Sequence, residues 1–229
     1  LDNFIREYFI RDPEICDGVV DALEKLKAAG HGRPGVSYMP DAPDDFDFKS
    51  VKDSWDLVPP DFAKMYPNGP KELRLDEIAD EMNNELFPRY YKDIELHFRG
   101  ELFSIRPPQF QMYEPGGGYK VWHCDAQGVM IHRVFVYILY LNDLSDGGTE
   151  FKHQNVRVKA EKGKVLMFPA NFCYIHRSEV SHTSKKYIMT GWMDTDLVEM
   201  LTEESRKKPE QKYDPYTQLA KQQYNENKK

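Results

Sequence analysis

The chain is poor in cysteine. Its 229 residues hold three, Cys16, Cys124 and Cys173, an odd and widely spaced set. That excludes a disulfide framework or a zinc ribbon and points to a reducing compartment, so a cytoplasmic location is expected. No apolar run approaches the length of a membrane-crossing helix, and a membrane partner is not expected. The opening stretch LDNFIREYFIRD carries charge throughout and lacks the apolar centre of a signal peptide. Its first residue is leucine rather than methionine, which leaves room for residues upstream. A basic excess is missing as well. The net charge is -7, and a nucleic-acid partner is not expected of such a balance. There is no internal repeat, and the oligomeric state is left open.

What is present suits one domain with a real core: hydrophobic residues make up 40% and charged residues 30% of the chain. The expected plan is a single domain over 1–229, with helical support in 1–99, a strand-rich core in 100–193 and a polar tail in 194–229. Asp12-Pro13 reads as a helix start. Ile15, Val19, Leu23 and Leu26 follow at helical spacing, and Gly30 is placed to end the helix. A second helix fits Leu75, Ile78, Met82 and Leu86 and is expected to stop before Pro88. Between them, residues 31–70 show no sustained period. They carry Tyr38, Phe46, Phe48 and Trp55 among Pro, Gly and Asp, which suggests a lid over a site or a wrap around the domain.

From about residue 100 the texture turns to strands. MIHRVFVYILYLN (130–142) is too apolar and too rich in β-branched and aromatic residues for a surface helix. NVRVKA, GKVLMF, CYIHR and KKYIMTGWM follow, separated by turn residues. The fold class expected is mainly β with flanking helices (α+β), a sandwich or jelly roll.

The stretch VWHCDAQG (121–128) carries the chemistry. Read as a strand, it sends His123 and Asp125 to one face and Cys124 to the other, so Cys124 is expected to be a small core residue. One further imidazole would complete two histidines and a carboxylate, the facial set that suits non-haem Fe(II). His132 is too near along the chain. His153, His176 and His182 remain, and spacing alone does not choose among them.

The ordered set around this doublet resembles the Fe(II)/2-oxoglutarate oxygenase superfamily, in its prolyl-4-hydroxylase-like branch, over roughly residues 101–193. After His123 and Asp125 come Arg133, the strand ending Tyr140-Leu141-Asn142, and the turn Gly147-Gly148-Thr149-Glu150-Phe151, slightly shorter than the family's. Lys162-Gly163 leads to Phe168. His176 then has Lys186 ten residues on and Trp192 six beyond that. Choosing His182 would break both offsets, so the resemblance selects His176. Two departures stand out. Tyr113 to His123 is ten residues, one more than the common prolyl hydroxylase pattern. Val136 stands where many relatives carry threonine.

The resemblance implies a double-stranded β-helix with His123, Asp125 and His176 as catalytic metal ligands. Tyr113, Lys186 and Thr190 would bind 2-oxoglutarate, with Lys186 on its far carboxylate. Arg133 would be either an ion-pair partner or a substrate contact. The implied cofactors are Fe(II), 2-oxoglutarate as co-substrate and O2, with ascorbate as a further candidate. The implied reaction hydroxylates an aliphatic C–H of a peptide or small-molecule substrate, a prolyl residue being one candidate and a free amino acid another. 2-Oxoglutarate is decarboxylated to succinate. The rivals are a cupin-like binding module without turnover and the alkyl-lesion demethylases of nucleic acid. The latter use arginine for the far carboxylate, where this chain has Lys186.

Overall fold

The computed structural model describes residues 2–37, 43–58, 69–96 and 103–195. The expected tail therefore lies, from residue 196 onward, outside the described residues. The strands are β1 (Arg6–Phe9), β2 (Arg33–Pro34), β3 (Lys52–Asp53), β4 (Trp55–Leu57), β5 (Phe103–Ile105), β6 (Gln109–Tyr113), β7 (Gly118–Tyr119), β8 (Arg133–Tyr140), β9 (Gly148–Phe151), β10 (Val156–Lys159), β11 (Lys164–Pro169), β12 (His176–Glu179) and β13 (Lys186–Thr195). The main sheet runs β1-β11-β8-β13-β6-β4-β2, with β5 also on β13. A smaller sheet runs β10-β9-β12, and β3 pairs with β7. The pairing is antiparallel, as a double-stranded β-helix requires.

The long apolar strands follow from a sheet covered on both faces. Along β8, Phe135, Tyr137 and Leu139 pack into a cluster with the helices. Val136, Ile138 and Tyr140 alternate into a second cluster with Leu166, Phe168 and Phe151. Such a strand has no polar face to show, which is why it reads as an unbroken apolar run. Each of these side chains, fully buried, contributes on the order of 1.5–3 kcal/mol.

Helix α1 (Ile15–Ala28) buries Cys16, Val19, Ala22, Leu23 and Leu26. It starts after Pro13, and the Asp12 carboxylate accepts from the Glu14 N–H at 3.1 Å. Gly30 ends it at φ +82, with the His31 N–H reaching back to the Leu26 carbonyl at 3.0 Å. That left-handed closure is what glycine permits without strain. On the outer face, Glu24 of α1 accepts from Lys185 Nζ at 2.8 Å and from the Tyr187 hydroxyl. The helix is thereby fixed to the start of β13.

The second helix does not stop before Pro88. Leu75–Glu81 is α-helical, Met82–Leu86 forms a π turn, and Phe87–Asp93 is helical again with Pro88 in its first turn. The π turn shifts the hydrogen-bond ladder, so the missing proline N–H falls where a helix start leaves donors unpaired anyway.

Nor is 31–70 uniformly irregular. Within its described parts, β4 pairs with β6, β2 pairs with β4, and β3 pairs with β7. β4 and β2 extend the main sheet at its edge, while β3 and β7 form a two-stranded sheet of their own. The Trp55 indole N–H donates to the His31 carbonyl at 3.0 Å, and the ring packs on the helix-side cluster. Phe46 and Phe48 meet each other edge to face at 5.2 Å. Tyr38 lies outside the described residues.

One close approach holds the centre of the sheet. Gly191 is paired with Tyr137, and a Cβ at 191 would stand 2.3 Å from the Tyr137 hydroxyl oxygen. The Tyr137 ring occupies the space that any side chain at 191 needs, and the ring is itself buried among Phe87 and its neighbours. Gly191→Ala should cost about 1–3 kcal/mol of stability, the usual range for overpacking. Urea denaturation is the check; an unchanged midpoint would show that the ring moves freely.

Candidate metal centre

A cavity of about 590 Å³ opens on the inner face of the main sheet. Its floor is the period-2 series of β13, Lys186, Ile188, Thr190 and Trp192, flanked by Val136 and Ile138 from β8. His123, Asp125 and His176 stand together in this cavity, with one ligand atom from each lying within 4.8 Å of the others. Among the described residues no other group of three such side chains is brought together.

The doublet is not carried on a regular strand, as the sequence suggested. It lies in a loop held by backbone bonds. The His123 N–H donates to the His176 carbonyl at 3.0 Å, and the His176 N–H returns a bond to the His123 carbonyl at 2.9 Å. Asp125 N–H donates to the Ala170 carbonyl at 3.1 Å. Cys124 is correspondingly not a core residue: it is half-buried and lines the cavity.

Each imidazole has its tautomer set by its own loop. His123 Nδ1 lies 3.1 Å from the Val121 carbonyl and His176 Nδ1 lies 3.0 Å from the Tyr174 carbonyl. A carbonyl can only accept, so Nδ1 carries the hydrogen and Nε2 keeps its lone pair for the cavity. Tyr119 stacks on the His123 ring at 3.6 Å, and Phe168 meets His176 edge-on at 4.8 Å. Burial lowers the pKa of His123 to about 4, helped by His176 and Lys52 and opposed by Asp125. Burial works to raise Asp125, but the two imidazoles and the Trp192 indole N–H outweigh it and hold the carboxyl below its usual value. At neutral pH the centre therefore offers a neutral His123 and a carboxylate, and a cation need displace no proton from either.

Trp192 fixes the carboxylate. Its indole N–H donates to Asp125 Oδ2 at 2.8 Å, while Oδ1 faces His123 at 3.5 Å. The guanidinium of Arg133 lies over the Trp192 ring at 3.7 Å. Of the two roles open to Arg133, the ion pair is not formed among the described residues.

Lys186 is buried at the floor. Its ammonium donates to the Gly148 carbonyl at 2.6 Å and to Ser178 Oγ at 2.9 Å, with the rings of Tyr113 and Tyr140 at 5.9 and 5.7 Å. Burial lowers its pKa to about 7. Thr190 lines the same cavity but gives its hydroxyl hydrogen to the Tyr137 carbonyl at 3.0 Å. The Tyr113 hydroxyl donates to Gln111. Sequence reasoning missed Ser178, although it lies two residues past His176 on β12 and so on the same face. It also missed Lys52 and Asp56, whose only signal was an aperiodic acidic stretch. The other histidines weighed as third ligand stay apart from the centre: His132 approaches Asp194 at 3.2 Å, and His153 and His182 are exposed.

Outer partners of a metal ligand commonly contribute ten- to a hundredfold in affinity. Trp192→Phe, which keeps an aromatic ring under Arg133 but removes the N–H, should weaken Mn(II) binding here by about that factor. Calorimetric titration measures it, and full affinity in the variant would relieve Trp192 of the role.

Residues 108–194 match the 2OG-Fe(II) oxygenase superfamily. No curated protein sequence matches the chain. Among solved structures, a prolyl hydroxylase from Trichoplax adhaerens, in complex with a hypoxia inducible factor peptide fragment, is 14% identical. The alignment covers 87% of each chain with a TM-score of 0.64. A viral collagen prolyl hydroxylase from Paramecium Bursaria Chlorella virus-1 is 15% identical over 84% of this chain and 96% of its own, at 0.57. A Pseudomonas putida prolyl-4-hydroxylase is 17% identical over 83% and 92%, at 0.51. At these identities the likeness is one of fold. Taken with the match over 108–194, it makes the chain one that resembles the 2OG-Fe(II) oxygenase superfamily, in its prolyl-4-hydroxylase-like branch.

Proposed function

We propose that this protein is an Fe(II)- and 2-oxoglutarate-dependent dioxygenase that hydroxylates an aliphatic C–H. The observation that carries the reading is one cavity holding both a His-Asp-His set within 4.8 Å and a buried lysine. The donor set of two imidazoles and one carboxylate fits Fe(II) and leaves coordination positions open. Bound there with 2-oxoglutarate and O2, the metal would supply the oxidising chemistry that converts the co-substrate to succinate and CO2 and delivers an oxygen atom to the prime substrate.

The chain's own residues supply the rest. His123 and His176 offer Nε2, and Asp125 offers Oδ1 because Trp192 occupies Oδ2. Lys186 receives the far carboxylate, where Ser178 and the Tyr113 ring adjoin it. Val136, Ile138 and Ile188 line the space between with hydrocarbon, which excludes water from the reacting groups. Thr190 and Tyr113 shape the pocket and orient the co-substrate. A cupin-like module without turnover would have no use for a lysine held at the cost of its own charge. Prolyl residues of a peptide are the substrate type that the names of the structural neighbours suggest. A small-molecule substrate is the second reading, favoured by the polar wall of Lys52, Asp56 and Gln111.

His176→Ala should abolish iron-dependent succinate formation, whereas His182→Ala should leave most of it. A loss that followed His182 instead would displace His176 from the centre.

Lys186 generates a second prediction. Hydrogen bonds to a charged group are worth about 1.5–3 kcal/mol, so Lys186→Ala should weaken 2-oxoglutarate roughly ten- to a hundredfold. The pH dependence has a definite sign. Above pH 7 the free protein holds Lys186 neutral, and binding a carboxylate must draw a proton back onto it. Affinity should fall as pH rises through about 7, with proton uptake visible by calorimetry in buffers of different ionisation enthalpy. Affinity that rose with pH, or uptake that persisted in Lys186→Ala, would place the far carboxylate elsewhere.

A further inference from the structure

Setting the histidines aside, the ionisable residues lining the cavity are five cations, Arg33, Lys52, Arg133, Arg177 and Lys186, against two carboxylates, Asp56 and Asp125. Arg177 is already paired with Glu150 at 2.8 Å, and Lys186 is spent on one carboxylate of the co-substrate.

A second buried ammonium, Lys52, stands on the wall that β3, β4 and β6 build. Lys52 and Asp56 form an ion pair at 2.6 Å, with side chains only 5% and 7% exposed. Asp56 is paired in register with Gln111 on one side and Arg33 on the other, so the three share one sheet face. Both oxygens of Asp56 are engaged, Oδ2 by Lys52 and Oδ1 by the Ser54 hydroxyl at 2.7 Å. The side-chain oxygen of Gln111 is engaged by Tyr113.

What is left over is donors. Asp56 is the single hydrogen-bond partner of the Lys52 ammonium among the described residues, which leaves two of its three hydrogens unused. The amide N–H groups of Gln111, which is 6% exposed, have no acceptor among them. Among the described residues the Arg133 guanidinium, over Trp192, has no hydrogen-bond partner either. A buried ion pair is seldom a net gain for stability, and the spare donors of Lys52 and Gln111 belong to residues that line the cavity. A ligand group that only accepts, and carries negative charge, would engage both. Lys52 and Gln111 line the same cavity as His123, Asp125 and His176, so a group held there shares that space with the metal ligands.

We propose that the Lys52–Gln111 wall binds a carboxylate of the prime substrate, and that this substrate is a small carboxylic acid rather than a residue inside a polypeptide. An internal prolyl residue brings no charge to such a wall. The inference rests on the dioxygenase reading above and narrows its substrate class.

The test uses the whole protein, anaerobic, loaded with Mn(II) and saturating 2-oxoglutarate, so that binding is read without turnover. Isovalerate, N-acetyl-L-proline and N-acetyl-L-leucine are titrated by calorimetry beside their primary amides and a capped peptide with an internal proline. The acids should bind, with the amides and the peptide weaker by about tenfold or more, the effect of one charge-assisted contact. Lys52→Met alone would leave Asp56 buried and unpaired and can fail to fold. The paired variant Lys52→Met/Asp56→Leu removes both charges together, an exchange that proteins often tolerate. It should lose acid binding by a similar factor while its 2-oxoglutarate affinity holds. Equal binding of acids and amides, no binding of any acid, tighter binding of the peptide, or undiminished acid binding in the paired variant each overturns the proposal. Loss of 2-oxoglutarate affinity in that variant also overturns it, assigning the wall to the co-substrate and leaving the dioxygenase reading intact. A wild-type protein that takes up no 2-oxoglutarate overturns both.

Discussion

Two backbone hydrogen bonds, exchanged between His123 and His176, are the constraint on which the rest of the centre depends. The two residues are far apart in sequence, and one lies in a loop. A loop left to itself samples many conformations, and fixing each residue costs about 1–2 kcal/mol. Here the fixing is done by folding. The reciprocal bonds attach the loop to β12, β12 is attached to β9, and Asp125 is tied separately to Ala170. The ring nitrogens are then turned by the carbonyls of Val121 and Tyr174. Main-chain groups thus turn the two imidazoles and hold the backbone of Asp125, whose carboxylate the Trp192 side chain then orients.

Strand parity separates the two tasks of β13. Odd positions such as Tyr187, Met189 and Met193 enter the cluster beneath the helices. Even positions Lys186, Ile188, Thr190 and Trp192 form the cavity floor. The same strand is therefore core on one face and site on the other, and Glu24 of α1 grips the residues on either side of Lys186 from the opposite face. That clamp holds the register of the strand at the point where an ammonium must be buried, and a one-residue slip would exchange floor for core.

Much of this was legible in the sequence, for physical reasons. The jelly-roll strands after residue 100 announced themselves because a sheet covered on both faces needs unbroken apolar runs. α1 was legible through its period and through Gly30, whose φ +82 few other residues accept. His123, Asp125, His176 and Lys186 were legible through order and offset, and they do share one cavity. What escaped was whatever depends on three-dimensional register. The HxD stretch looked like a strand because it alternates, yet it is a pinned loop. Pro88 looked like a stop because nothing local betrays a π turn. Lys52 and Asp56 gave no signal of their own, because an ion pair is buried only by what the sheet brings against it.

β4 and β2 are the last two strands on one edge of the main sheet. The last of them, β2, has one neighbour to satisfy, and β4 answers on that side to a strand of only two residues, so both can change with little rearrangement of the strands behind them. The floor of the cavity, in contrast, belongs to β13 at the centre, where every position answers to partners on both sides. Lineages descending from such an architecture would be free to vary the edge and exchange one set of guests for another, while the chemistry at the centre passed through unaltered.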